Sequence, residues 1–172
     1  ASTGNLAVHL EKLEAGVSVG QIVGEFEDKL NAADLTLLIQ KPETPVYVMA
    51  DGRHFWRVID NLMNNICKYA QPGTRVYVDL RENGGQVELI FRNTSRYPLN
   101  ISSEELMERF VRGDESRNTE GSGLGISIAK SLMELMGGSF MLYVDGDLFK
   151  VVLGFAQMEE EKEPLDEDKS GK

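Results

Sequence analysis

Two groups of residues in this chain have the types and spacing to act on a phosphorylated ligand. Gly121, Ser122, Gly123, Leu124 and Gly125 place three glycines at alternate positions directly before an apolar stripe of helical period, Leu124, Ile128, Leu132, Leu135 and Met136. A glycine-rich entry to a helix exposes unpaired backbone N–H groups at the positive end of the helix dipole, with no side chains to hold a polyanion away. The spacing is not that of a Walker loop, which needs Gly-Lys-Ser/Thr. Nor is it a Rossmann fingerprint, because position 126 is isoleucine and residues 112–120 are too polar for a buried strand. Those residues read as a mobile loop carrying Arg112 and Arg117. The second group is Asn61, Asn65 and Lys68. At about 100° per residue they fall within roughly 60° of one another on a helix. They lie beside the apolar face of Phe55, Val58, Ile59, Leu62, Met63, Ile66 and Ala70. An amide oxygen is a hard, neutral ligand suited to magnesium, and a lysine offers charge to a phosphate. The same asparagines also have the chemistry to tie down neighbouring loops.

The elements that position these groups follow from periodicity. A long helix is predicted over residues 51–70, ended by Gln71, Pro72 and Gly73, and an earlier one over 17–34 behind a Ser18 cap. Residues 35–40 and 45–50 are short β-rich runs with a tight connection, and residues 74–81 and 86–92 form a hairpin about Gly84 and Gly85. Ser102 and Glu105 make a capping box for a short helix through Phe110. Gly137 and Gly138 close the helix that follows the glycine box, and residues 139–144 and 148–156 form a last hairpin.

Composition narrows the function classes. A chain of 172 residues has room for one ordinary core. A net charge of -10 argues against a nucleic-acid partner, which would need clustered Lys and Arg. A single nucleotide needs only local donors. Cys67 stands alone, so there is no internal disulfide, and His9 and His54 are too far apart in sequence to suggest a metal pair. No run of apolar residues is long enough to span a membrane. The chain starts at Ala1 rather than Met, which suggests a piece of a longer protein. Its last residues, 158–172, are acidic and read as a disordered tail.

Asn61-Leu-Met-Asn-Asn65-Ile-Cys-Lys68-Tyr69-Ala resembles the N box of sensor histidine kinases, Asn-Leu-Leu-x-Asn-Ala-x-Lys-Tyr-Thr. Gly121-Ser-Gly-Leu-Gly125 is similar to their second glycine box, and residues 108–117, with Phe110, Arg112 and Arg117, resemble their F box and lid. The resemblance covers residues 17–156. It implies the Bergerat ATP-binding fold of the wider GHKL superfamily: an α+β, two-layer sandwich with a mixed sheet of about five strands and helices packed on one face. It further implies that residues 17–157 form an ATP-binding catalytic domain and that residues 1–16 are the end of a helix from an upstream dimerisation and phosphoacceptor domain.

By motif position, the resemblance makes Asn65 the Mg²⁺ ligand, turns Lys68 and Tyr69 toward ATP, and sets Asn61 where hydrolytic relatives carry a catalytic glutamate. Arg112 and Arg117 would reach the phosphates, and Gly121, Ser122, Gly123, Leu124 and Gly125 would cradle them. The family's first glycine box, Asp-x-Gly-x-Gly, reads Asn93-Thr-Ser-Arg-Tyr97 here. Asn93 can still accept from an adenine amino group, as a neutral and weaker acceptor. Neither histidine is followed by the phosphoacceptor pattern, so the acceptor histidine is expected upstream. The implied partners are that domain, in a homodimeric parent, and a response-regulator receiver domain. The implied setting is the cytoplasmic part of a membrane-anchored sensor. An ATP-hydrolysing conformational switch and a degenerate regulatory module are the alternative readings.

Overall fold

The computed structural model describes residues 7–99, 101–116 and 124–159. The elements run β1 (Glu11–Glu14), α1 (Ala15–Gly24), α2 (Glu27–Ala32), β2 (Leu35–Gln40), β3 (Tyr47–Ala50), α3 (Gly52–Tyr69), β4 (Thr74–Asn83), β5 (Gln86–Thr94), α4 (Ser103–Ser116), α5 (Leu124–Leu135), β6 (Ser139–Asp145) and β7 (Leu148–Met158). Seven strands form one sheet in the order β1-β3-β7-β5-β4-β2, with β6 also paired to β7. The β2–β4 pair is parallel and the other pairs are antiparallel, so the sheet is mixed as expected. It has seven strands rather than about five. β6 ends its pairing with β7 at Gly154, and the last residues of β7, Gln157 and Met158, take up β3 instead.

The helix-facing side of the sheet reads directly from alternation. Val76, Val78 and Leu80 on β4 lie opposite Asn93, Phe91 and Leu89 on β5, which in turn lie opposite Phe149, Val151 and Leu153 on β7. All of these side chains are buried, and every one but Asn93 is apolar. α3 packs its expected face of Phe55, Val58, Ile59, Leu62, Met63 and Ile66 into this core. Asp51 caps the helix by accepting from the N–H groups of Arg53 and His54.

Several local expectations are corrected. Residues 11–14 are not the end of a helix but a strand on the sheet edge, with Leu13 opposite Val48. Edge pairing satisfies backbone groups that a short amphipathic helix end would leave open. The helix over 17–34 is broken in two after Gly24, one of two glycines in the run. Its cap is the Glu14 side chain, accepting from Gly16 and Val17, rather than Ser18. β2 and β3 are not neighbours: β7, β5 and β4 stand between them in the sheet. α4 starts on the Ser102 cap as expected, with Glu105 N–H donating to Ser102 Oγ at 3.1 Å, but continues past Phe110 to Ser116. The first residues of the expected mobile loop, Arg112 included, therefore have helical backbone. On α5 the buried face is Ile126, Ala129, Leu132 and Met133, continued by Met136 just past its end, while Ile128 and Leu135 are only half-buried. The tail from 160 on lies outside the described residues.

Candidate functional site

The C-terminal half of α3, the end of β5 and the first turns of α4 converge on one cavity of about 410 Å³. Its lining includes Asn65 and Tyr69 from α3, Asn93 from β5, Leu106 and Arg109 from α4, and Phe149 from β7. The remaining wall comes from the segment after β5, through Ser95, Tyr97 and Leu99. The volume is in the range of small-ligand sites, which are mostly apolar with a few placed polar groups.

Asn93 is the most informative of those groups. It is only 4% exposed, sits between Val76 and Phe149 in the sheet register, and its Oδ1 has no hydrogen-bond partner. A buried amide oxygen left unpaired costs about 1–3 kcal/mol. Its apolar cross-strand neighbours, Val76 and Phe149, offer no donor. Asn61 carries a second orphan, Nδ2, which is shielded and unpartnered. One helical turn on, Asn65 reaches the cavity wall.

The backbone behind Asn93 is held from two sides. Gln71 N–H donates to Thr94 O and Arg96 N–H to Tyr69 O, both at 2.8 Å, which ties the segment to the end of α3. Ser95 N–H donates to Asp147 O at 2.7 Å and Leu99 N–H to Gly146 O at 3.2 Å, which ties it to the β6–β7 turn. That turn is made tight by Gly146 at φ 60°.

Of the residues singled out from sequence, Asn65, Tyr69 and Asn93 are brought together at this cavity. Lys68 is exposed on the same helix, its Nζ 5.7 Å from the centre of the Tyr69 ring, and is not part of the lining. Asn61 instead faces α5: a Cβ built on Gly125 would lie 3.4 Å from Asn61 Cβ and from its backbone carbonyl oxygen, an ordinary packing distance between the two helices. Leu124 opens α5, but its side chain, like those of Phe110 and Arg112, lies outside the described residues. Arg117, Gly121, Ser122 and Gly123 lie outside them altogether. Sequence reasoning missed Ser95, Tyr97, Leu99, Leu106, Arg109 and Phe149. The signal available for two of them was the departure from the glycine-box pattern at 95 and 97. Arg109 carries the one cation of this group, ion-paired with Glu105 at 3.8 Å one turn back on α4.

Among the described residues no cluster of three or more His, Cys, Asp or Glu could hold an ion, so a cation here would depend on neutral oxygens and on its ligand. Burial pushes the Cys67 thiol above its ordinary value, against a smaller opposing pull from Lys29, which makes it a poor nucleophile.

Comparison with known proteins gives a consistent picture. Residues 50–164 match the family described as histidine kinase-, DNA gyrase B-, and HSP90-like ATPase. The probable sensor kinase SilS of Salmonella typhimurium is 29% identical over 137 residues, covering 78% of this chain and 28% of SilS. The probable sensor protein PcoS of Escherichia coli is 34% identical over 110 residues, covering 62% of this chain and 24% of PcoS. The chain thus spans about a quarter of the length of these relatives. The solved structure of the Acinetobacter baumannii histidine kinase AdeS superposes with a TM-score of 0.72 at 19% identity, covering 92% of this chain and 73% of that one, a likeness of fold.

Proposed function

The chain belongs to the histidine kinase-, DNA gyrase B- and HSP90-like ATPase family, and from that premise we propose that it is the ATP-binding catalytic unit of a sensor histidine kinase. In this reading it binds Mg-ATP and passes the γ-phosphoryl group to a histidine on an upstream domain of the parent protein, for relay to a receiver domain. The parent is a homodimeric, membrane-anchored sensor with this unit on the cytoplasmic side. The observation that carries the reading is the orphaned, buried Asn93 Oδ1 in a cavity shared with Asn65 and Tyr69. An adenine amino group supplies the missing donor, whereas guanine presents a carbonyl oxygen at the corresponding position and would face acceptor with acceptor.

Each residue then has a part. Asn93 selects the base. The Asn65 amide oxygen suits Mg²⁺, whose chemistry when bound is to neutralise phosphate charge and orient the chain of phosphates. Lys68 and Arg112, with Arg117, supply positive charge for the transferring group, and backbone N–H groups at Gly121, Ser122, Gly123, Leu124 and Gly125 cradle it. Phosphoryl transfer asks for positioning and charge neutralisation more than for covalent help.

Asn61 separates this reading from that of an ATP-hydrolysing switch. Its carboxamide cannot accept a proton from water as a general base, so the isolated chain is expected to bind Mg-ATP with very slow turnover. Titration with Mg-ATP and Mg-GTP, followed by steady-state phosphate release, tests both points. Binding of ATP with little GTP binding and little release is the expected result. Equal binding of the two nucleotides, or turnover typical of a hydrolytic relative, overturns the reading.

A further inference from the structure

Tyr97 is the most exposed large hydrophobic side chain among the described residues, at 58%. A ring so exposed usually sits on a mobile tip, but this one stands on a fastened backbone. Its own N–H donates to Ser95 Oγ at 3.2 Å, and the residues on either side are held by Arg96 N–H to Tyr69 O and Leu99 N–H to Gly146 O. The ring also lines the cavity that holds the Asn93 acceptor. An aromatic side chain is thus presented from a fastened backbone, next to a site that lacks one hydrogen-bond donor.

The chemistry of the walls says what kind of group belongs there. Leu99, Leu106 and Phe149 are apolar, and Tyr69 and Tyr97 add flat, amphipathic rings. An aliphatic chain would leave the Asn93 oxygen unpaired, and a sugar would set hydroxyls against Leu99, Leu106 and Phe149, which offer them no partner. A planar heterocycle with an exocyclic amine satisfies both conditions. Its edge supplies the donor and its face covers an aromatic ring that otherwise stays in water.

We propose that Tyr97 is a base-binding residue of the nucleotide site, serving as the platform on which the base stacks while Asn93 reads its edge. This rests on the nucleotide-binding reading above. Stacking is a contact between faces, so the ring is required and the hydroxyl is not. Because the backbone is already fastened, binding has only the side chain to order and not the loop, so most of the stacking contribution appears as affinity.

The test is calorimetric titration of the wild-type chain, Tyr97→Leu and Tyr97→Phe with Mg-ATP and, separately, with adenosine. Tyr97→Leu is expected to weaken both ligands by the same factor, about tenfold, the scale of one base–aromatic stack. Tyr97→Phe, the conservative variant, is expected to restore both. Thermal melts without ligand show whether each variant is folded, and the exposed position of the ring gives no reason for a change. If Tyr97→Leu binds ATP as well as the wild type, the platform is refuted while the nucleotide site stands. If ATP is weakened and adenosine is not, Tyr97 acts on the phosphates and the proposal is likewise refuted. If the wild type binds neither ligand, the nucleotide reading itself falls and takes the platform with it.

Discussion

Replacing Asn93 by aspartate tests the site at its most constrained atom. The substitution keeps the shape of the side chain and turns the orphaned amide oxygen into part of a carboxylate, at a residue only 4% exposed. Two opposite effects follow. In the free protein the charge sits beside Val76 and Phe149, its cross-strand neighbours, and only water entering the cavity can solvate it. An unmatched buried polar group costs about 1–3 kcal/mol and a charge more, so the unliganded chain should melt at a lower temperature. In the complex the ligand amine donates to a charged acceptor instead of a neutral one, a difference of about 1 kcal/mol, which corresponds to roughly fivefold tighter binding. Calorimetric titration with Mg-ATP measures the second effect and unliganded thermal unfolding the first. Asn93→Leu is the control: it removes the acceptor and should weaken ATP by roughly five- to a hundredfold, the cost of an unpaired ligand donor. The gain for Asn93→Asp should fade as pH falls and the carboxyl protonates. If both variants bind ATP like the wild type, Asn93 does not face the ligand and the assignment of this cavity fails.

Asn65→Ala should weaken ATP binding far more in magnesium than in EDTA, because its proposed part runs through the cation; equal losses in the two titrations would make it a structural residue. Asp51 couples the segment before β1 to α3: His9 N–H donates to its Oδ2 at 2.8 Å, and Arg53 and His54 N–H donate to its Oδ1. Burial alone would raise its carboxyl, but these hydrogen bonds and the nearby His54 more than offset that and hold it below its ordinary value. Its contribution is therefore complete above the unfolded value of about 3.9 and lost as pH falls through the lower folded value, so urea melts from pH 6 to pH 3 should show a shallower acid limb in Asp51→Asn. Gly138→Ala would place a Cβ 2.6 Å from Gly154 O and 2.7 Å from Met133 Cε, and since the carbonyl belongs to β7 the expected loss is about 2–3 kcal/mol by chemical denaturation. A Cβ at Gly154 would meet Ser139 Oγ instead, so pairing Gly154→Ala with Ser139→Ala should recover much of its loss.

Elements whose signals are local were legible in the sequence. α3 declared itself by seven apolar positions of helical period, and the β4–β5 turn by Gly84 and Gly85, which take φ of 56° and 85°. What the sequence hid depends on distant partners. Glu11–Glu14 is a strand because β3 offers it an edge, and no four-residue window reports that. The separation of β2 from β3 follows from β4, β5 and β7 filling the sheet between them, a property of the whole topology. The site divides in the same way. Asn65 and Tyr69 belong to a pattern, Asn61 to Tyr69, that lies within nine consecutive positions, whereas Leu106 and Arg109 on α4 and Phe149 on β7 carry no mark of their own.

The stretch from Asn93 to Tyr97 shows why a departure from a family pattern need not be decay. Glycine is required where the backbone needs positive φ or close approach, and among the described residues the non-glycine position with positive φ is Asp34, not one of these. Positions 95 and 97 therefore take side chains without backbone strain. The segment is held by Thr94 O, Ser95 N–H, Arg96 N–H and Leu99 N–H, bonds made by the main chain and indifferent to side-chain identity. Ser95 is bound into the loop through its hydroxyl, which accepts from Tyr97 N–H, whereas the Tyr97 side chain is free to be set by what lies in the cavity it lines. A fold that fixes the loop largely through its backbone can change the residue at 97 while leaving the sheet and α3 untouched. Substitutions at 97 should accordingly move nucleotide affinity and leave the unliganded melting temperature where it was, the reverse of what Gly138 and Gly154 should do.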